Sequence, residues 1–136
     1  MRVLITSFLL QWAIHGSSAL STPYVGSTGG RKWALMWNAS DTDPKVAASI
    51  DLDLCYANYD GVLAAAHDGG YSSTCTCGST IYNLTCNCDY GNGGKSPNYV
   101  KLFNLDLKTG DITYWEPFTA ASDGTAQCFG YNSQKF

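Results

Sequence analysis

The sequence predicts a small all-β domain stapled by disulfides, and three observations support this fold class. Four of the six cysteines fall within "TCTCGSTIYNLTCNC", Thr74 to Cys88, as two CxC pairs. Several short segments alternate apolar and polar residues with a period of two, which is typical of half-buried strands, and clusters of Gly, Asn and Asp separate them. After residue 19 the sequence shows no convincing helical period, so we expect strands joined by tight turns.

The first 19 residues are interpreted as a secretory signal peptide. They carry an early positive charge at Arg2, an apolar run from Val3 to Ile14, and the small residues Ser17 and Ala19 at the positions that a signal peptidase reads. The run is too short to cross a bilayer as a stable helix; a buried core helix is the alternative interpretation. We therefore expect a secreted, extracellular protein that is cleaved after residue 19 and has no membrane span in its mature part.

Composition argues against several partners and chemistries. The formal net charge is -3, and the lysines and arginines form no basic stripe. Nucleic acids and anionic lipids select for clustered positive charge, so we expect neither as a partner. An even number of cysteines in an oxidising compartment predicts three disulfides. The CxC spacing differs from the CxxC of zinc knuckles and of thioredoxin-like redox pairs.

Strand geometry predicts how the cysteines pair. Residues i and i+2 of a strand face the same side, and facing residues of an antiparallel pair have a constant sum of residue numbers. Strands over Ser73–Cys77 and Leu84–Cys88 would create the facing pairs Cys75–Cys88 and Cys77–Cys86, within disulfide range. We favour this pairing over the other two that four cysteines allow, and closing the outer loop contributes about 3 kcal/mol. The remaining pair, Cys55–Cys128, would tie the C-terminal tail to the middle of the chain.

Other strand signals follow along the chain. "SIDLDLCY" alternates Ile50, Leu52 and Leu54 with Asp51 and Asp53, which predicts a half-buried strand with both aspartates on its solvated face. "NYVKLFNLDL" and "DITYW" alternate similarly, and turn signals fall at 58–61, 67–70, 92–94 and 108–110. A weak internal repeat relates residues 49–61 to residues 100–111.

These segments carry a resemblance to a known family. "SIDLDLCYANYDGVL", Ser49 to Leu63, resembles without gaps the SIDLNxCLxNxDGxL signature of the cyanovirin-N homologue family. "YSSTC", "LTCNC" and "NYVKLFNLD" resemble that family's F-S-x-T-C, L-x-A-x-C and second S-I-x-L-N motifs. The resemblance extends from about Tyr24 to Trp115 and is clearest over residues 49–104. It implies two degenerate repeats, each a three-stranded sheet followed by a β-hairpin, and it implies the outer bond Cys75–Cys88.

Both ends of the chain depart from the family pattern. The first repeat has Trp37 near the place of a cysteine, so its disulfide is missing, and the second has Lys108-Thr109-Gly110-Asp111 in place of N-x-D-G. We therefore expect one functional sugar pocket, or multivalency through an oligomer. The tail from Pro117 onward resembles no motif. The chain is accordingly divided into a signal peptide, 1–19, a cyanovirin-like β domain, 20–117, and a C-terminal extension, 118–136, tied back by a disulfide.

The resemblance implies a secreted lectin that recognises mannose-type oligosaccharides without catalysis. Asn and Asp on a tight turn can bridge adjacent sugar hydroxyls, and a stapled opposite wall loses less entropy when a ligand docks. The implied ligand-binding residues are Asn58, Asp60 and Gly61 on the turn, Ser73 and Thr74 before Cys75, and Asp89, Tyr90 and Asn92 after Cys88. From residues 58–61 alone, a plain structural turn is the simpler interpretation, and Tyr90 is equally compatible with a core or surface role.

Catalytic chemistry finds little support in the sequence. The only histidine beyond the signal peptide is His67, interpreted as a loop residue. Asp51 and Asp53 are two apart on one predicted strand, without the cleft that a glycosidase pair needs. Every cysteine has a predicted disulfide partner, which leaves no thiol expected to act as a nucleophile. We expect no enzyme activity, no metal and no cofactor.

A second functional class stays open, a small secreted effector or toxin-like protein acting on a protein target. The degraded repeat, the third cysteine pair and the unmatched tail favour it. Under the first hypothesis the partners are mannose-rich glycans or glycoproteins. Two sequons, Asn38-Ala39-Ser40 and Asn83-Leu84-Thr85, predict N-glycosylation at Asn38 and Asn83.

Overall fold

The computed structural model describes residues 20–136, so the predicted signal peptide lies outside the described residues. The predicted all-β class is confirmed. The strands are β1 Tyr24–Gly29, β2 Lys32–Ser40, β3 Asp43–Asp51, β4 Tyr56–Tyr59, β5 Val62–Ala65, β6 Cys75–Ser79, β7 Asn83–Gly91, β8 Gly94–Lys101, β9 Phe103–Leu105, β10 Ile112–Tyr114, β11 Phe118–Ala120, β12 Ala126–Cys128 and β13 Gln134–Lys135. Two single 3-10 turns, Leu52–Leu54 and Tyr71–Ser73, interrupt them. Over this part of the chain, no helix has the length and apolarity required to cross a membrane.

One arrangement of strands occurs twice along the chain. An antiparallel sheet of β1, β2 and β3 is followed by the hairpin β4–β5, and a sheet of β6, β7 and β8 is followed by the hairpin of β9 and β10. This is the order of three strands and a hairpin expected for each half. Strand β13 pairs with β3 and extends the first sheet to four strands.

The stapled hairpin has the predicted register. Strands β6 and β7 are antiparallel, with Cys75 facing Cys88 and Cys77 facing Cys86. Both pairs are bonded, with Cα atoms 4.1 and 4.0 Å apart. The predicted first strand begins two residues too early, because residues 71–73 form a 3-10 turn and β6 starts at Cys75.

The strand predicted through Leu54 is wrong beyond Asp51. Strand β3 ends there because the Asp51 carboxylate accepts a hydrogen bond from the Asp53 N–H at 3.0 Å and starts a 3-10 turn. The Asp53 carboxylate is not on a solvated face either. It accepts hydrogen bonds from the backbone N–H of Ser72 at 2.8 Å and from its hydroxyl at 2.5 Å.

Residues 118–136 belong to the same core as the rest of the chain. Phe118 and Ala126 are buried with Tyr56, and the predicted bond Cys55–Cys128 is present, joining residues 73 positions apart. Removing the tail after Trp115 would therefore open the core, so a tail deletion cannot separate the two functional hypotheses.

Candidate functional site

The first wall of the candidate site is the tight turn between β4 and β5. Asn58 faces Leu63 in the hairpin, and Asp60 and Gly61 form the two-residue loop with φ of 55° and 92°. Positive φ at both loop positions is typical of the turns that match the twist of a hairpin. The side-chain oxygen Oδ1 of Asn58 accepts a hydrogen bond from the Gly61 N–H at 2.7 Å, which closes the turn.

The Asn58 amide fastens this turn to the stapled hairpin. Its Nδ2 donates to the hydroxyl of Thr74 at 3.0 Å and to the backbone carbonyl of Asp89 at 2.9 Å. Thr74 directly precedes Cys75 and Asp89 directly follows Cys88. Because both amide hydrogens are donated within the protein, Asn58 positions the wall, and its Nδ2 has no hydrogen left for a ligand.

Gly61 is held by close contact with strands β7 and β8. A Cβ at this position would lie 2.7 Å from the Ser96 hydroxyl oxygen and 2.9 Å from the Tyr90 Cβ, so only glycine fits without movement. The Gly61 carbonyl accepts hydrogen bonds from the Ser96 hydroxyl and from Asn98 Nδ2, the latter at 2.8 Å. Asn98 Oδ1 in turn accepts the Leu63 N–H at 2.9 Å.

Ser96 and Asn98 were not among the residues predicted for the site. In the structure the burial alternates along β8 and places Ser96 and Asn98 on its inner face. The strand predicted from the sequence began only at Asn98, so Ser96 lay outside the predicted pattern. Arg31 was not predicted either. Its guanidinium reaches from the β1–β2 turn to the Ser73 carbonyl at 3.2 Å and the Thr76 hydroxyl at 3.1 Å. No local signal predicts that contact, because Arg31 and Ser73 are 42 positions apart.

Exposed polar groups surround the β4–β5 turn. Asp60 is exposed, and within residues 20–136 its carboxylate makes no hydrogen bond. The Thr74 hydroxyl accepts from Asn58 and keeps its own hydrogen for donation. The Ser73 hydroxyl donates to the Gly70 carbonyl at 3.2 Å, and the Asp89 carboxylate pairs with the Lys95 ammonium.

Tyr90 is 51% exposed, and its ring covers Gly94 so closely that a Cβ there would lie 2.4 Å from the ring. Asn92 is exposed at the β7–β8 turn with φ of 54°. Five of the eight predicted site residues therefore meet in direct contacts, namely Asn58, Gly61, Thr74, Asp89 and Tyr90. Asp60 and Ser73 adjoin this group in sequence, and Asn92 directly follows the end of β7, in the β7–β8 turn.

The groups considered for catalysis have structural partners. Asp51 and Asp53 support the 3-10 turn, and the His67 ring stacks on Tyr131 with centroids 5.1 Å apart. All the cysteines of the described chain are disulfide-bonded, and residues 20–136 contain no cluster of three or more metal-ligating side chains.

The two sequons differ in their surroundings. Asn83 is 7% exposed, and its Nδ2 donates to Thr80 Oγ1 at 2.9 Å and to the Tyr99 hydroxyl at 2.7 Å. An attached glycan would break this arrangement, so the predicted glycosylation of Asn83 does not fit the folded chain. Asn38 is half-buried and uses its Oδ1 to accept from the Tyr24 hydroxyl at 2.6 Å.

Comparison with models of protein families gives no match to this chain, and a search of curated proteins gives none either.

Proposed function

We propose that this protein is a secreted lectin that binds mannose-type oligosaccharides at the Asn58 turn without catalysing a reaction. The observation that carries the proposal is the docking of that turn onto the stapled hairpin through Asn58 Nδ2, Thr74 Oγ1 and the Asp89 carbonyl. The mannose preference comes from the resemblance of residues 49–63 to the cyanovirin-type signature. The disulfides and the absence of a membrane-crossing helix in residues 20–136 are consistent with secretion.

Preorganisation is the physical basis of the proposal. A sugar binds weakly because each hydroxyl exchanges hydrogen bonds with water for hydrogen bonds with protein, so the net gain per bond is about 1 kcal/mol. A binding surface that must also order itself would lose that gain. Here the disulfides Cys75–Cys88 and Cys77–Cys86 fix the hairpin β6–β7. Asn58 in turn fixes the β4–β5 turn to that hairpin. The Asp60 carboxylate and the Thr74 hydroxyl then present an acceptor and a donor from restrained backbone positions.

A glycan array tests the proposal with a matched pair of variants. Asp60 and Asp68 are both exposed turn residues with φ of 55°, so glycine is accommodated at either position without backbone strain. We expect wild type to be retained on mannose-rich glycans, Asp60→Gly to lose at least tenfold in affinity, and Asp68→Gly to bind as wild type does. Absence of retention by the wild type would overturn the lectin proposal and favour a protein target. Equal retention by wild type and Asp60→Gly would overturn this site.

A further inference from the structure

A second concave surface runs along the hairpin β4–β5 from Leu63 to the open end of the hairpin. It is a groove of about 480 Å³ between that hairpin, the end of β8 and the segment after β10. This volume lies within the range of small-ligand sites. Among its lining residues are Tyr56, Leu63, Tyr99, Lys101, Trp115 and Glu116. The Asn58 turn is at the closed end of the hairpin, whereas Tyr56 faces Ala65 at its open end.

Two aromatic side chains of the groove are exposed and yet held in place. Tyr99 is 68% exposed, but its hydroxyl accepts a hydrogen bond from the buried Asn83 amide at 2.7 Å. Trp115 is 49% exposed; its backbone N–H donates to the Leu102 carbonyl at 3.0 Å, and the Lys101 ammonium lies 5.1 Å from its ring centroid. The Tyr99 ring and the Trp115 main chain are thus held in place, and such surfaces lose less conformational entropy when a ligand binds.

The polar groups of the groove indicate the chemistry of its occupant. The exposed polar groups of the groove are the Lys101 ammonium and the Glu116 carboxylate. Lys101 and Glu116 add one positive and one negative charge, so the groove selects for neither an anion nor a cation. Flat aromatic surface beside balanced donors and acceptors suits a neutral ring that carries hydroxyls on its edge and C–H groups on its faces. A pyranose has that pattern.

We propose that the groove between Tyr99 and Trp115 is a second carbohydrate site, which binds a neutral pyranose of a mannose-type oligosaccharide. The proposal rests on the lectin function proposed above, but it uses different residues and a different surface. Two sites on one chain would allow one branched glycan, or two glycans, to be held at once, and linked sites raise the apparent affinity without new contacts. The chain would then need no partner copy to act multivalently.

Tryptophan fluorescence during titration with mannotriose tests the groove. Of the three tryptophans in the described chain, Trp37 is buried, Trp33 is half-buried and Trp115 is exposed, so a Trp115→Phe variant isolates the signal of Trp115. We expect mannotriose to change the emission of wild type and of Asp60→Gly, but not that of Trp115→Phe. Tyr99→Ala should weaken the response at least tenfold, whereas Tyr99→Phe, which keeps the ring but loses the hydrogen bond from Asn83, should give a response between those of Tyr99→Ala and wild type. Val62→Ala removes another exposed apolar side chain, outside the groove lining, and should have no effect.

The results separate this proposal from the one before it. An unchanged wild-type emission at millimolar mannotriose would overturn the groove, even if glycan retention depended on Asp60. Retention that survives in Asp60→Gly but is lost in Tyr99→Ala would support the groove and overturn the turn site. If wild type showed neither retention on mannose-rich glycans nor a change in tryptophan emission, both proposals would be overturned.

Discussion

The amide nitrogen of Asn58 lies 3.0 Å from the hydroxyl oxygen of Thr74, across 16 positions of sequence. Together with the hydrogen bond to the Asp89 carbonyl, this contact joins the hairpin β4–β5 of the first half to the disulfide-bonded hairpin β6–β7 of the second half. The residue that the family resemblance implies for sugar contact is therefore also a tie between the two halves of the fold. Under the proposed lectin function, a change at this position is expected to affect both stability and binding.

Asn58→Ala should destabilise the protein by about 2–3 kcal/mol, because it removes two donated hydrogen bonds and one accepted bond in a half-buried setting. Urea unfolding with the disulfides intact measures the change. Asn87→Ala is the control, since Asn87 is an exposed residue of β7 that faces Thr76. Equal stability of the two variants would contradict the assigned role of Asn58.

Gly61→Ala should destabilise the fold more than Gly30→Ala does, although both glycines have positive φ, 92° and 60°. An L-residue with positive φ lowers the stability by about 1–2 kcal/mol through backbone strain alone. At Gly30 we expect only this loss, because an added methyl group would meet nothing within 4 Å. At Gly61 the methyl group also meets Ser96 and Tyr90. We expect a further loss of about 1–3 kcal/mol from overpacking, measured by thermal unfolding of both variants. Equal losses of stability in Gly61→Ala and Gly30→Ala would show that the turn is not packed closely against β7 and β8.

The parts of the fold that the sequence predicts best are those set by a fixed period. The pairs Cys75–Cys88 and Cys77–Cys86 follow from the two-residue period of strands, which allows few registers once both CxC pairs face inward. The end of β3 does not follow from the period, because apolar residues continue to alternate through Leu54 while a local hydrogen bond to Asp51 ends the strand. Contacts such as Arg31 with Ser73 depend on how the halves pack, and no local pattern encodes them.

The C-terminal tail should contribute an acid-sensitive part of the stability through Asp123. The Lys135 ammonium, at 2.6 Å, and the Thr125 hydroxyl, at 2.5 Å, lower the pKa of this carboxyl from 3.8 to about 2. A lowered pKa stabilises the fold above the unfolded value near 4, and the contribution disappears as the pH falls to about 2. Because the Asp123 side chain is 44% exposed, solvent screening limits the contribution to about 1 kcal/mol or less.

Asp123→Asn should therefore be less stable than wild type at pH 6, and the difference should shrink between pH 4 and pH 2. Urea unfolding at several pH values measures it. Asp68→Asn removes an exposed turn carboxylate of equal charge and controls for the change in net charge. A stability gap between Asp123→Asn and wild type that persists unchanged at pH 2 would show that the ion pair with Lys135 is not its source.

The two sequons should behave differently when the protein is made in a eukaryotic secretory host. Asn83 donates both amide hydrogens inside the fold, to Thr80 and Tyr99, so a glycan on its Nδ2 would remove a donor and force a buried side chain out. At Asn38 the hydrogen bond to Tyr24 uses Oδ1, and among residues 20–136 no acceptor takes its Nδ2 hydrogens. We expect the folded, secreted protein to carry a glycan at Asn38 and none at Asn83.

Intact mass before and after enzymatic deglycosylation measures this occupancy. Asn38→Gln should abolish the mass shift, whereas Asn83→Gln should leave it unchanged and lower the stability by about 1–3 kcal/mol, because it disturbs the buried bonds to Thr80 and Tyr99. A glycopeptide containing Asn83, recovered from protein with all three disulfides formed, would contradict the prediction. That result would also mean that Tyr99 loses its anchor in the native protein, since the Asn83 amide that restrains its hydroxyl would be modified.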